Sequence, residues 1–421
     1  MRRIDLQEYQ QSEPVPLSGI ERDTLREVVD SLSVDRDDVD SAQPMYRLTA
    51  GSIVGAVDIG ELSVLIRPKI GIPKLLSMAC YATGAFKPQE IRTFDFEEER
   101  ALPDTLALAL ASAARRAFSR GLLHGYRRRE EALQTVRGRI RFAEQLRRRY
   151  GVPVPIEVRY EEFTDDVLAN RLVKAAAVRL SGMRLRSSRA IRAIRWVAGV
   201  LGNVSEVEYP QAAVPEVAFD RLNLHYRDVV ELSRLILRHG AFEARRGVVR
   251  ASGFLMDMNV VFQEFVVQAL RDSLGVSNRA LRSEQSVAFD QGRRVFLRPD
   301  LSWWDGRMCA FVGDAKYKNL TGRRVPVGDL YQLLAYATAL DLPGGLLVYA
   351  EDEADTGTFD VVNSGKRLEI AALDLSGNLE DVLVSMDRVA GKVVALRGES
   401  FNQAAENPGE AIALVEPTPT G

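Results

Sequence analysis

The sequence predicts an α+β multidomain protein, and three observations carry that reading. Short alternating apolar runs crowd the first 72 residues, helical apolar spacing dominates the middle, and strands alternate with helices from about residue 250. A chain of 421 residues can bury enough surface for two or three domains. Its 46% hydrophobic and 27% charged content is ordinary for a globular protein.

Taken in order, residues 46–48, 52–58 and 62–68 read as strands punctuated by Gly51, Gly55 and Gly60. They predict a β-rich N-terminal domain over 1–72. From Pro73 the spacing turns helical, over 74–82, 105–120, 167–180 and 220–238, so 73–249 is read as a mainly helical middle region. Inside it, 121–160 mixes basic and β-like character, as in Val136-Arg137-Gly138-Arg139-Ile140. Residues 250–395 read α-β-β-β-α-β-β-α, the pattern of an α/β domain with a mixed sheet. Beyond about Ser400 the chain becomes polar and proline-bearing, so 396–421 is expected to be a disordered tail.

Composition removes several function classes. No apolar run reaches membrane-spanning length, and Met1-Arg2-Arg3-Ile4-Asp5 lacks the apolar core of a signal peptide, which predicts a cytoplasmic protein with no membrane partner. Cys80 and Cys309 sit in apolar settings and read as small buried hydrophobes. His124, His225 and His239 have no zinc-ligand spacing. No G-x-x-x-x-G-K-[ST] run occurs, so nucleotide hydrolysis is not expected of this chain alone. The formal net charge is −2, yet arginines cluster at 127–129, 137–141, 147–149 and 184–195. Such clustering can make a basic groove for phosphates on a nearly neutral protein, and Arg137, Arg139 and Arg141 are candidates for it.

The chemistry is concentrated in Phe296-Leu297-Arg298-Pro299-Asp300 and, further on, Asp314-Ala315-Lys316-Tyr317-Lys318. Residues 295–301 read as one strand and 309–312 as the next, with Asp305-Gly306 turning between them. Side chains on a strand alternate, so Asp314 and Lys316 share a face, and a neighbouring strand can bring Asp300 beside them. Two carboxylates at one point repel unless a cation lies between them. Hard oxygen ligands of this kind suit Mg²⁺ or Mn²⁺, and the lysine can orient water or offset charge on a phosphate. Downstream, Gln332 and Tyr336 fall at i, i+4 on one helix face. Lys318 is a further candidate for phosphate contact. Trp303 and Trp304 resemble a base-stacking pair, but adjacent strand residues face opposite ways, so at least one is expected to pack inside.

Pro299-Asp300 with Asp314-Ala315-Lys316 resembles the PD-(D/E)xK nuclease motif, and Gln332 with Tyr336 resembles the QxxxY element of its RecB-like branch. The preceding segment 254–270 has helical spacing and carries Glu264, where that nuclease class often has another acid. The likeness extends upstream. Leu65-Ile66-Arg67-Pro68-Lys69-Ile70, Val136-Arg137-Gly138-Arg139-Ile140, Tyr160-Glu161-Glu162-Phe163-Thr164-Asp165-Asp166 and Phe254-Leu255-Met256-Asp257-Met258-Asn259 resemble segments of the McrC family, in that family's order. The resemblance implies an endonuclease subunit of a modification-dependent restriction system. It implies a metal held by Asp300, Asp314, the Ala315 carbonyl and Glu264, with Lys316, Gln332 and Tyr336 completing the site. It also implies double-stranded methylated DNA as substrate, and an McrB-like AAA+ GTPase ring as partner. The chain would dock there through its N-terminal part and stimulate GTP hydrolysis, so that GTP enters only through the partner. Two readings stay open beside it: a RecB-like nuclease working with a helicase, and a non-enzymatic adaptor that holds DNA on a ring.

Overall fold

The computed structural model describes residues 2–29, 31–37, 44–91, 101–239, 241–246, 249–318, 325–350 and 357–406. They form a mixed α/β molecule of two compact units. One comprises Met1–Thr93, Arg245–Ala251 and Leu255–Gly421; the other comprises Phe94–Ala244 with Ser252–Phe254. These units are drawn differently from the expected boundaries at 72 and 249, because strands far apart in sequence share a sheet.

The N-terminal part of the first unit begins with β1 (Arg2–Gln7), β2 (Val15–Pro16), α1 (Gly19–Val28), β3 (Ser33–Asp37) and β4 (Met45–Thr49). It continues through β5 (Ile53–Ile59), β6 (Leu62–Arg67), α2 (Ile72–Ala82) and α3 (Pro88–Ile91). Ser18 and Glu21 start α1 with a reciprocal capping box. β5 and β6 are antiparallel, and the turn between them uses Gly60 at φ 55°, a conformation that costs a side chain. β1 runs parallel to β6, setting Ile4 opposite Val64 and Leu6 opposite Ile66, all buried.

The second unit contains α4 (Leu102–Phe118), β7 (Gly125–Leu133), β8 (Arg139–Ile140), α5 (Phe142–Arg149), β9 (Ile156–Thr164), α6 (Leu168–Ser181), α7 (Ser188–Val200) and α8 (Arg227–Arg238). Two buried aspartates organise it. Asp104 accepts from the backbone N–H groups of Arg186 (2.8 Å) and Ser187 (2.7 Å) just ahead of α7. Asp166 gathers Arg127, Arg171 and Ser205, and the Arg171 guanidinium holds its carboxyl far below the usual range. Helix 220–238 was expected in one piece; α8 begins only at Arg227, after a single 3₁₀ turn at Leu224–Tyr226.

Next come β10 (Ala241–Arg246) and β11 (Val249–Asp257), whose residues are divided between the two units. The sheet order is β1-β6-β5-β11-β10, so the chain returns to the N-terminal strands before its last part begins. The expected helix over 254–270 starts four residues late, as α9 (Met258–Leu274), with 254–257 in β11. Asp257 sets that boundary: its side chain accepts from the Asn259 N–H, while the Met258 N–H donates to the Ser52 carbonyl.

After α9 come β12 (Leu281–Arg282), β13 (Val287–Ala288), β14 (Phe296–Leu297), β15 (Leu301–Asp305), β16 (Met308–Lys316), α10 (Val327–Ala339), β17 (Gly344–Tyr349), β18 (Thr358–Asp360), β19 (Arg367–Ala372) and α11 (Leu379–Glu406). Six of these strands form a mixed sheet in the order β12-β15-β16-β17-β19-β18. β15–β16 is antiparallel; β16–β17 and β17–β19 are parallel. The expected strand 295–301 is two pieces. β14 pairs with β13, and pairing resumes at Leu301 with β16. Pro299 between them has no N–H to give a ladder. Residues 396–406, expected to be disordered, extend α11 and bury Leu396 and Ser400. The rest of that expected tail, 407–421, lies outside the described residues. Cys80 and Cys309 are buried and are not joined in a disulfide. No helix among the described residues is long and apolar enough to cross a membrane.

Two glycines test the packing. A Cβ on Gly344 in β17 would lie 1.9 Å from the Arg367 carbonyl, whereas one on Gly391 in α11 meets nothing within 4 Å. Gly344→Ala should cost about 3 kcal/mol or more, because backbone must move. Gly391→Ala should stabilise by roughly 0.5–1 kcal/mol through helix propensity. Thermal melts of both variants check this; equal melting temperatures would refute the close approach of β17 and β19.

Candidate active site

The site is built on the alternation of β16. Val312 packs in the core with Leu333, Tyr336 and Ala337 of α10 and with Leu347 and Tyr349 of β17. Asp314 and Lys316 continue the Val312 phase and therefore point to the α10 side. Phe311, Ala315 and Tyr317 take the opposite phase, where the Tyr317 ring lies 5.9 Å from that of Phe262 on α9.

Asp300 sits just ahead of β15, and Leu301 is registered opposite Gly313, so the two aspartates fall side by side. The Asp300 Oδ2 accepts from the Ala315 N–H at 2.9 Å, and the Asp300 N–H reaches the Asp314 Oδ1 at 3.5 Å. Asp314 is 1% exposed. Its Oδ2 is sealed from solvent and is met by the Lys316 ammonium in a close ion pair. Lys316 Nζ also donates to Gln332 Oε1 at 3.0 Å. Gln332 Nε2 donates to the Tyr336 hydroxyl at 2.6 Å, and that hydroxyl donates to the Arg298 carbonyl at 3.3 Å. The relay closes on the segment that carries Asp300.

Burial, and then the neighbouring Asp314 charge, push the Asp300 carboxyl well above the ordinary carboxylate range. For Lys316, burial works against the ammonium, but the charge and hydrogen bond of Asp314 outweigh it and keep the lysine charged. The pair thus stores repulsion that a cation would relieve. Two adjacent buried or half-buried carboxylates that share a single ammonium are a donor set suited to a hard divalent ion. Among the described residues no group of three acids, histidines or cysteines converges, so Glu264, exposed on α9, is not gathered with Asp300 and Asp314.

The other sequence candidates fall elsewhere. Lys318 Nζ pairs with Asp329 at 2.8 Å. In the second unit Arg137 lies over the Tyr160 ring at 4.1 Å, Arg141 pairs with Glu130 at 3.1 Å, and Arg139 is exposed on β8. Trp303 and Trp304 are both buried, with a bulge between them, so neither is free to stack on a base.

Sequence reasoning missed two buried acids beside the site. Asp329 accepts from the Tyr349 hydroxyl at 2.8 Å as well as from Lys318. Its position four residues before Leu333, on the buried face of α10, was the available signal. Glu8 is fully buried and accepts from the Tyr317 hydroxyl (2.7 Å) and the Lys69 N–H (2.6 Å), while the Tyr9 hydroxyl donates to the Tyr317 carbonyl at 2.8 Å. Glu8 continues the buried phase of Ile4 and Leu6, which marks it as an inward-facing acid. Through it the first strand is tied to the residue that follows Lys316.

A family model described as McrBC 5-methylcytosine restriction system component matches residues 48–350, a span that includes every residue of the relay. The type IV methyl-directed restriction enzyme EcoKMcrBC of Escherichia coli (strain K12) is 24% identical over 310 residues, covering 67% of this chain and 86% of that protein. Among solved structures, the chain resembles one from the refined half-complex of a tetradecameric assembly of Thermococcus gammatolerans McrB AAA+ hexamers with bound McrC. That likeness has a TM-score of 0.59 at 17% identity, over 93% of this chain and 100% of that one, and is a likeness of fold.

The carboxylate pair makes a pH-dependent prediction for the metal-free protein. A carboxyl whose folded value is raised contributes stability that is complete below its unfolded value and is lost as pH rises through the folded one. Asp300→Asn removes that loss and keeps the acceptor for the Ala315 N–H. In metal-free buffer it should raise the apparent Tm near pH 8 by roughly 2–4 °C, on the order of 1 kcal/mol, and by less at pH 5. Melting below wild type at both pH values would show that the two acids do not repel.

Proposed function

We propose, from the premise that this chain belongs to the family of McrBC 5-methylcytosine restriction system components, that it is the DNA-cleaving subunit of such a system. The reaction is metal-dependent phosphodiester hydrolysis by a PD-(D/E)xK site. The observation that carries the reading is the Asp300–Asp314 pair with Lys316 held between Asp314 and Gln332. Asp300, Asp314 and the Ala315 carbonyl would hold Mg²⁺ or Mn²⁺. When bound, the ion supplies a water of lowered pKa and neutralises charge at the phosphate.

The chain's own groups do the rest. Lys316 is charged and fixed at two points, so it is suited to orient water and to stabilise the developing negative charge rather than to remove a proton. Gln332 holds Lys316 in that place, and Tyr336 holds Gln332, so little reorganisation is needed as charge develops. The buried Asp329 keeps Lys318 at the end of the same strand.

The Thermococcus assembly contains McrB AAA+ hexamers with bound McrC. By analogy this chain docks on an AAA+ GTPase ring through its N-terminal half and stimulates GTP hydrolysis. The partner supplies recognition of the methylated base in double-stranded DNA. The absence of a P-loop sequence from all 421 residues agrees with that division.

Cleavage and stimulation should therefore separate. Asp314→Ala or Lys316→Ala should lower cleavage of methylated DNA at least about a hundredfold, since each removes a group acting on the transition state. Partner GTP turnover should stay within about twofold of wild type, as distant sites contribute nearly independently. Near-normal cutting by a folded Asp314→Ala protein would refute the site; loss of GTPase stimulation in it would refute the division. Removing residues 1–72 is not an equivalent test, because β5 and β6 share their sheet with β11 and Glu8 holds Tyr317.

A further inference from the structure

The hairpin that leads into Asp300 is an odd place for exposed apolar rings. Val287 is buried, and Leu297 opposite it packs on the same core. Beyond that first pair the ribbon leaves the core: Phe289 is 51% exposed, Val295 50% and Phe296 55%. Its tip is built by Asp290, whose carboxylate accepts from the N–H groups of Arg294 (2.7 Å) and Val295 (2.9 Å) and from the Arg294 Nε (2.9 Å). The one acid of the segment 287–298 is thus used inside the turn, while Arg293, Arg294 and Arg298 give it a positive excess. The Arg294 side chain remains 83% exposed despite that contact, and Arg298 is exposed as well. The root of the ribbon is fixed to the relay, because the Arg298 carbonyl accepts from Tyr336.

We propose that the β13–β14 hairpin is a DNA-gripping ribbon that sets the duplex against the Asp300–Asp314 pair, with Arg294 and Arg298 on phosphates and Phe289 and Phe296 against the groove wall. This deepens the nuclease reading and rests on it. A two-stranded ribbon fits a major groove, and arginines at its tip and root can reach the flanking backbones. Duplex DNA suits the segment better than a protein partner does, since the charge is complementary to phosphate and the ribbon is continuous with the carboxylate pair that would cut it. Aromatic side chains facing solvent beside arginines complement a nucleic acid through apolar contact as well as charge.

The test uses the full-length chain, a 30-base-pair duplex and fluorescence anisotropy in buffer without divalent cation, where no cleavage proceeds. Each lost phosphate contact lowers the slope of log affinity against log salt by about 0.9. The double variant Arg294→Ala with Arg298→Ala should flatten the slope by about 1.8, which corresponds to roughly sixty-fold weaker binding at 0.1 M salt and little difference near 1 M. Phe296→Ala should weaken binding with the slope unchanged. Wild-type slope and affinity in the double variant would overturn the proposal while wild-type cleavage leaves the nuclease reading standing. Loss of association with the AAA+ partner at unchanged duplex affinity would assign the hairpin to a protein contact and overturn it too. Failure of the wild-type chain with its partner to cut DNA at all would overturn both.

Discussion

Two carboxylates, one of them wholly buried, lie side by side at the point where β15 and β16 begin to pair, and the surrounding structure is arranged around that cost. Asp314 has no water to screen it, and Asp300 adds a second charge to the same place. The fold answers with a lysine on the same strand face and a backbone N–H from Ala315. Neither removes the cost fully: burial first, and the Asp314 charge second, push the Asp300 carboxyl up. The remaining cost is one that a cation placed between the two carboxylates would offset.

Because the strain is local, the scaffold must be stiff on both faces of β16. On the α10 face a chain of side-chain hydrogen bonds runs from Lys316 through Gln332 and Tyr336 back to the Arg298 carbonyl. On the other face Tyr317 meets Phe262 of α9 and the buried Glu8. The first eight residues are therefore structural support for a site more than 300 residues later. This explains why the N-terminal strands and the last α/β layer belong to one compact unit.

The second unit handles charge differently. Its arginine-rich strands face acids across the β7–β9 ladder, as in Arg129 with Glu162 at 2.8 Å and Arg159 with Glu130 at 2.7 Å. A run that looks strongly basic in one dimension is largely cross-neutralised in three. Such exposed pairs add little stability, about 0–1 kcal/mol each, so their value lies in setting strand register. Asp166, bound by two arginines and a serine, is the firmer anchor.

The sequence alone determined the candidate site residues and their phase. Asp314 and Lys316 two apart, and Gln332 and Tyr336 four apart, share faces whatever the rest of the chain does, because strand and helix periods are local properties. The general order of strands and helices after residue 250 was legible for the same reason. Boundaries were less so: Pro299 split an expected strand, and Asp257 delayed a helix, since a cap and a missing N–H compete with apolar spacing. Only the tertiary structure decided which strands became neighbours. It placed β11 beside β5, carried α11 past residue 395, left Glu264 apart from the aspartates, and brought Glu8 to Tyr317. Those outcomes depend on burial among residues hundreds of positions apart, and no local period encodes such long-range pairing.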